Sequence, residues 1–199
     1  MSLRTLTPVS AAHLERTLGA LARLDPAAVE RLVAHVLRAH ECGGTIFVCG
    51  NGGSAATASH FAQDLAKSTA TGPDDDRRLR VLALTDSVSN LTAWANDLGY
   101  EAIFEQPLRA LGRAGDLLVA FSGSGNSPNV LNAVRYANAA GISTFAVTGA
   151  DGGVLRELAR DGVHVDAAEM EVAENAHLVV AHQVVCAVRE WKRERDGAR

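Results

Sequence analysis

His60 and Asp64 stand four residues apart, a spacing that sets both side chains on one face of a helix. An imidazole and a carboxylate placed in this way can share a divalent cation or relay a proton. They follow the run Cys49-Gly50-Asn51-Gly52-Gly53-Ser54-Ala55-Ala56, in which the β-type stretch Thr45 to Val48 feeds a glycine-rich turn. The turn opens into a helix-compatible series of Ala and Ser. A strand, a tight turn and a helix N-terminus in one unit offer unpaired N–H groups and the positive end of a helix dipole to an anion, most often a phosphate. Asn51, Gly52, Gly53 and Ser54 are therefore set to meet a phosphate or sugar hydroxyls, with metal or acid–base chemistry further along the same helix.

A second strand–loop–helix unit runs from Val119 through Ser122-Gly123-Ser124-Gly125-Asn126-Ser127-Pro128 to Asn129. Pro128 suits the first helical position with Ser127 as N-cap. The hydroxyls of Ser122, Ser124 and Ser127 and the backbone at Gly123 cluster where a phosphate monoester would sit. Neither loop is followed by the lysine of a nucleotide-binding P-loop, and Gly50, Gly52 and Gly53 do not have dinucleotide-fingerprint spacing. No nucleotide cofactor is expected.

Glu174 and His182 are eight residues apart near the C-terminus, about two helical turns. With His60 and Asp64 they make a set of two imidazoles and two carboxylates suited to Zn²⁺ or a similar divalent ion. The same four serve equally as a metal-free base and acid, and the residue types leave both readings open. His177 lies roughly 140° round the helix from His182 and reads as a surface or supporting residue. His13, His35, His40 and His164 belong to no motif.

The elements that must position these groups alternate. Strands are expected at Thr45–Cys49, Arg80–Leu84, Asp116–Phe121, Ser143–Val147 and Val163–Asp166, and helices at Ser54–Lys67, Ser89–Leu98, Glu101–Leu111, Ser127–Ala140, Val154–Ala159 and Glu171–Arg195. The strands are short, apolar and β-branched, as strands covered on both faces are. Alternation of this kind implies right-handed βαβ crossovers and a five-stranded parallel sheet between helical layers, a three-layer α/β sandwich. Ahead of it, Ser10 to Ala39 reads as a helix pair broken at Asp25-Pro26, with an apolar face needing the sheet or a second copy of the chain. We divide the chain into a helical extension over 1–42 and the α/β domain over 43–199. Ala70–Arg78, rich in Gly, Pro and Asp, is a loop, and the basic Lys192-Arg193 with Arg195 reads as a solvated helix end.

The 199 residues suit one such domain, and the net charge of −4 gives no reason to expect nucleic acid. Three cysteines without CxxC spacing point to a reducing cytoplasm rather than a disulfide framework. No secretory pattern or membrane-spanning run is expected.

Taken together, Gly50-Asn51-Gly52-Gly53-Ser54-Ala55-Ala56 with His60, Trp94-Ala95-Asn96-Asp97, Ser122-Gly123-Ser124-Gly125-Asn126-Ser127, and Glu174 with His182 resemble the sugar isomerase (SIS) domain family, and within it the phosphoheptose isomerases. The resemblance spans nearly the whole chain. It implies a flavodoxin-like doubly wound fold and an aldose–ketose isomerase that converts sedoheptulose 7-phosphate to D-glycero-D-manno-heptose 7-phosphate through an enediol. It implies substrate contacts from Asn51, Gly52, Gly53, Ser54, Asp64, Asn96, Asp97 and Glu174, and a phosphate loop of Ser122, Gly123, Ser124 and Ser127. It further implies a metal and catalytic cluster of His60, Asp64, Glu174 and His182, in which a carboxylate, Asp64 or Glu174, is base and His182 is acid. A homotetramer with active sites between subunits is implied as well. A non-enzymatic SIS protein, either a partner of the replication initiator DnaA or a sugar-phosphate-binding regulator, is the alternative. Three positions depart from the family pattern. Asp64 stands where Glu is usual, Glu174 where Gln is usual, and Gly123 where Thr is frequent.

Overall fold

A computed structural model describes residues 8–197 of the chain. Residues 1–7, the start of the expected helical extension, and 198–199 lie outside the described residues. The elements in order are α1 (Pro8–Ala22), α2 (Pro26–Glu41), β1 (Thr45–Cys49), α3 (Gly53–Lys67), β2 (Arg80–Ala83), α4 (Val88–Leu98), a short 3₁₀ turn (Tyr100–Ala102), α5 (Glu105–Leu111), β3 (Leu117–Ser122), α6 (Pro128–Ala139), β4 (Ser143–Thr148), α7 (Gly153–Leu158), β5 (Asp161–His164) and α8 (Met170–Gly197).

The five strands form one sheet in the order β2-β1-β3-β4-β5, and every neighbouring pair is parallel. Alternation along the strands divides two cores. Ile46, Val48, Leu117, Val119, Phe121, Phe145 and Val147 face α2, α3 and α8. Phe47, Cys49, Leu118, Ala120 and Ala146 face α6 and the segment around α5. Strands buried on both sides in this way have no polar face, which is why the sequence shows apolar runs rather than alternation.

Helix α2 starts where Asp25 and Pro26 require it. The Asp25 carboxylate accepts from the Ala27 N–H at 3.0 Å, and Pro26 occupies the first turn. Its stripe of Val29, Leu32 and Val36 joins the sheet's core, so the sheet is the partner for that face. Helix α1 packs on the beginning of α8 through Ala20, against Val172, Ala173 and Ala176.

Three expectations need correction. The single helix expected over Glu101–Leu111 is two pieces, because Pro107 lacks an N–H and its ring would strike the carbonyl four residues back. The α-helix can therefore begin only at Glu105, which leaves Pro107 in its first turn. The last strand begins at Asp161, two residues earlier than expected, because Asp161 pairs with Phe145 and His164 with Thr148. Lys192 is not part of a solvated tail. It is 3 % exposed, and its ammonium lies 2.5 Å from the Asp75 carboxylate and 2.8 Å from the Arg77 carbonyl. That contact fastens the Ala70–Arg78 loop to α8.

Strand order turns at the β1/β3 boundary: the chain leaves β1 for β2 on one side and later adds β3 on the other. In open parallel sheets the loops at the carboxyl ends of two such strands splay apart and leave a crevice. The two loops beyond β1 and β3 are the glycine- and serine-rich segments.

Candidate functional site

The crevice is a cleft of about 250 Å³ lined by Asn51, Gly52, Gly53, Ser54, Ser122, Gly123, Ser124, Ser127, Met170 and Glu174. One wall is the start of α3. Its N-cap, Gly52, has φ 54° and ψ −122°, a conformation that disfavours a side chain, and no side chain caps the helix. The first N–H groups of α3 are thus left for a ligand.

The other wall is the β3–α6 loop. The Ser122 hydroxyl oxygen accepts from the Gly125 N–H at 3.1 Å and that of Ser124 from the Asn126 N–H at 3.3 Å. A hydroxyl used as acceptor still has its own proton to give. Each serine thus keeps a hydroxyl proton for a ligand in the cleft that both residues line. Ser127 holds the N-cap position of α6, but its hydroxyl makes no capping bond. The loop is braced from behind, where the Asn126 amide oxygen accepts from the Val154 N–H at 3.0 Å and the Gly125 carbonyl from the Leu155 N–H at 2.9 Å. Donors on both walls suit the oxygens of a phosphate or a sugar, and the Glu174 carboxylate adds an acceptor to the lining.

Helices α3 and α8 pack side by side and carry the second cluster. His60 Nε2 lies 3.0 Å from His182 Nε2 and 3.2 Å from Asp64 Oδ2. His182 Nε2 is 3.8 Å from the same oxygen. The other carboxylate oxygen of Asp64 accepts from the Ser68 hydroxyl at 3.3 Å, which fixes the plane of the group. An ion bound at about 2.0–2.2 Å in a tetrahedron holds its ligand atoms roughly 3.3–3.6 Å apart. The three separations straddle that range, so the donor set fits a zinc-like ion. The side chains of His60 and His182 are 47 % and 48 % exposed, so the cluster opens outward.

Glu174 is not in this trio, whose ligand atoms lie within 4.8 Å of one another. It sits two turns earlier on α8 and its carboxylate lies over Gly53, where an added Cβ would meet both oxygens at 2.3 Å. The four residues expected in one cluster are thus divided: three form the trio, and Glu174 belongs to the cleft. Asn96 and Asp97 bond to each other on exposed α4, at 2.9 Å, and do not line the cleft. Asn51, Gly52, Gly53, Ser54, Ser122, Gly123, Ser124 and Ser127 all do.

The family model for the SIS domain matches residues 11–149. The phosphoheptose isomerase of Burkholderia pseudomallei is 39 % identical over 199 residues, covering 96 % of each chain. That of Chlorobaculum parvum is 38 % identical over 171 residues, covering 83 % of this chain and 79 % of its own. The structure of phosphoheptose isomerase GmhA from Neisseria gonorrhoeae superposes with a TM-score of 0.84 at 33 % identity, covering 92 % of this chain and 98 % of its own. The chain belongs to the SIS domain family.

Within this SIS domain, several residues near the site had no local signature. Asn129, 1 % exposed, pairs with Asn51 through both amides. Tyr100 donates to Asn51 at 3.0 Å. Met170 fills the space beside Gly123, where an added Cβ would lie 2.1 Å from its sulfur. His177, expected at the surface or in support, is fully buried, its ring tilted against Phe121. Neither ring nitrogen has a hydrogen-bonding partner. Burial pushes this imidazole down to about 4, and the Thr148 backbone offsets the shift only slightly, without reaching hydrogen-bond geometry.

Proposed function

We propose that this SIS protein is a phosphoheptose isomerase, interconverting sedoheptulose 7-phosphate and a heptose 7-phosphate. The observation that carries the reading is the separation of the two clusters. Gly53, at the phosphate cradle, and His60, in the trio, are seven residues apart on α3, roughly 10 Å along the axis. From C1 or C2 to the phosphorus, an extended open-chain heptose 7-phosphate spans a similar distance, roughly 9–10 Å at ordinary bond lengths. A substrate whose phosphate sits among Ser122, Ser124, Ser127 and the α3 N-terminus therefore brings C1 and C2 to Asp64 and His182.

There Asp64 removes the proton that moves between C1 and C2. Ser68 holds the carboxylate plane, so the basic oxygen stays aimed while the sugar turns from carbonyl to enediol. His182 exchanges the proton on the oxygen. Glu174, whose carboxylate lies over Gly53 at the cradle end of the cleft, takes hydrogen bonds from the hydroxyls nearest the phosphate and orients the chain. Alternatively, His60, Asp64 and His182 would hold a divalent ion, most simply Zn²⁺, whose Lewis acidity would stabilise enediolate charge; Asp64 Oδ2 and His182 Nε2 would then be ligands rather than base and acid.

The exposed leucines of α1, Leu14 at 51 % and Leu18 at 57 %, one turn apart, support packing against further copies and hence a homotetramer. The outward-facing trio supports a site completed by a neighbouring subunit. Three free thiols support a cytoplasmic setting, and no helix among the described residues is long and apolar enough to cross a membrane. The non-enzymatic reading is not favoured, because the trio of reactive side chains is intact.

The test is incubation with sedoheptulose 7-phosphate in D₂O. Expected results are an aldose 7-phosphate product and deuterium at the carbon that accepts the proton. Absence of both in protein shown to be folded overturns the proposal.

A further inference from the structure

The Asn51–Asn129 pair fixes more than a contact. The orientation of each side-chain amide follows from one backbone group. The Val130 N–H can only donate, and it points at one amide atom of Asn129 from 3.0 Å. That atom must be Oδ1, so the Nδ2 of Asn129 faces the other way. Across the crevice Asn129 Oδ1 also accepts from Asn51 Nδ2 at 2.9 Å, and Asn129 Nδ2 donates to Asn51 Oδ1 at 2.8 Å. The Tyr100 hydroxyl donates to the same Asn51 oxygen. An amide oxygen accepts two hydrogen bonds and an amide nitrogen gives two. The Asn51 oxygen is therefore saturated, and one N–H remains on its nitrogen, in a side chain that lines the cleft.

We infer that Asn129 is a positioning residue for the isomerase: it locks the Asn51 amide so that Asn51 meets the substrate only as a donor, toward a phosphate, carbonyl or hydroxyl oxygen. The pair also ties the β1–α3 loop to the start of α6 across the switch point, holding the two walls of the phosphate cradle at a set spacing. Neither Asn129 nor its backbone partner need touch the substrate. The inference rests on the proposed isomerase reading for the identity of the ligand.

Asn129→Ala removes the lock. Asn129→Asp keeps the acceptor for Val130 but places carboxylate oxygens on both amide atoms of Asn51, so no orientation of Asn51 satisfies the pair. Both variants, the parent, Asn51→Ala and the double variant Asn51→Ala/Asn129→Ala are assayed for kcat/KM with sedoheptulose 7-phosphate, and for Kd by calorimetry. In the Asn51 background, Asn129→Ala should lower kcat/KM about 10- to 100-fold, with Asn129→Asp at least as costly. In the Asn51→Ala background the Asn129→Ala effect should shrink to about twofold. An unchanged kcat/KM in Asn129→Ala, or an equal loss in both backgrounds, overturns the inference while leaving the isomerase reading intact. A parent that neither binds nor converts the sugar overturns both.

If Asn129→Ala does not fold, side-chain amide exchange in ¹⁵N-labelled parent protein decides. Asn51 should have one protected and one exchanging amide proton, the second becoming protected when sedoheptulose 7-phosphate is added. Two protected protons before ligand, or no gain after it, overturns the inference.

Discussion

The carboxylate of Glu174 rests directly on the backbone of Gly53, so that a single methyl group at Gly53 would come within 2.3 Å of both its oxygens. The first residue of α3 and the acidic residue of α8 are thus a fitted pair. Gly53→Ala forces the carboxylate aside. Because the displaced atoms end a flexible side chain, and Ala is the better helix former by about 1 kcal/mol, the fold should survive. The cleft should not: KM for sedoheptulose 7-phosphate should rise about tenfold or more, a loss of about 1.4 kcal/mol or more. Equal KM in the variant and the parent would show that the Glu174 position does not matter to the substrate.

Lys192 and Asp75 test how the Ala70–Arg78 loop is held. Both side chains are nearly inaccessible, 2 % and 5 % exposed. Leaving one partner of a buried pair uncompensated typically costs about 3–5 kcal/mol. Lys192→Met should therefore lower the free energy of unfolding by an amount of that order, measured in urea. Lys192→Met/Asp75→Asn should recover part of it. Acid should act on the same contact. Burial alone would raise the Asp75 carboxyl, but the Lys192 ammonium and the Thr71 and Arg77 N–H groups hold it below its ordinary 3.8. A depressed carboxyl stabilises the fold above its unfolded value, and that contribution fades as pH falls through the folded one. The parent's advantage over the double variant should therefore narrow only below about pH 4. A gap that does not change down to pH 3 contradicts this account.

His177 should make the protein acid-sensitive in a higher window. Its ordinary value is 6.5 and its folded value about 4, so between those limits the unfolded chain binds a proton that the folded chain refuses. Stability then falls as pH falls, by roughly 3 kcal/mol across the interval. His177→Leu removes the titration and two buried nitrogens without partners. The variant should be close to the parent or more stable at pH 7.5, and its unfolding free energy should drop less between pH 6.5 and pH 4.5. Parallel pH profiles for the two proteins would assign the acid loss elsewhere.

The fold was legible in the sequence wherever local rules act alone. Asp25-Pro26 could only start a helix, and the two glycine- and serine-rich turns could only follow strands and open helices. Other features were carried by helix faces. Lys192 falls on the same stripe of α8 as Val184, Val185 and Val188, all buried, and His177 on the stripe of Ala173, Val180 and Ala181. Reading charge ahead of periodicity put Lys192 in a solvated helix end, and judging His177 only by its angle from His182 left it as a surface or supporting residue. Pro107 marked the broken helix in advance. By contrast, Asn129, Tyr100 and Met170 reach the site only because β1 and β3 are neighbours and α8 returns across their ends. No spacing within the chain encodes those contacts. Glu174 and His182 share a helix, but two turns are long enough to place them in different parts of the site.

The trio of His60, Asp64 and His182 predicts a particular pattern of metal dependence. Protein purified without a polyhistidine tag should contain a divalent ion, and chelation should lower the rate of isomerisation. His60→Ala and His182→Ala should each lose the ion, since the single imidazole and single carboxylate that remain make a poor site for zinc. Glu174→Gln should keep it, because that carboxylate lies over Gly53 rather than among the trio. Its kcat and KM should change instead, through the substrate's hydroxyls. Loss of the ion in Glu174→Gln would return Glu174 to the ligand set and require α8 to shift by part of a turn in the loaded enzyme. A protein that holds no ion and is fully active in chelator would leave the short His60–His182 contact as a hydrogen bond between imidazoles. His182 would then act as a plain acid, with Asp64 as base, and Asp64→Asn should abolish turnover in that case as well.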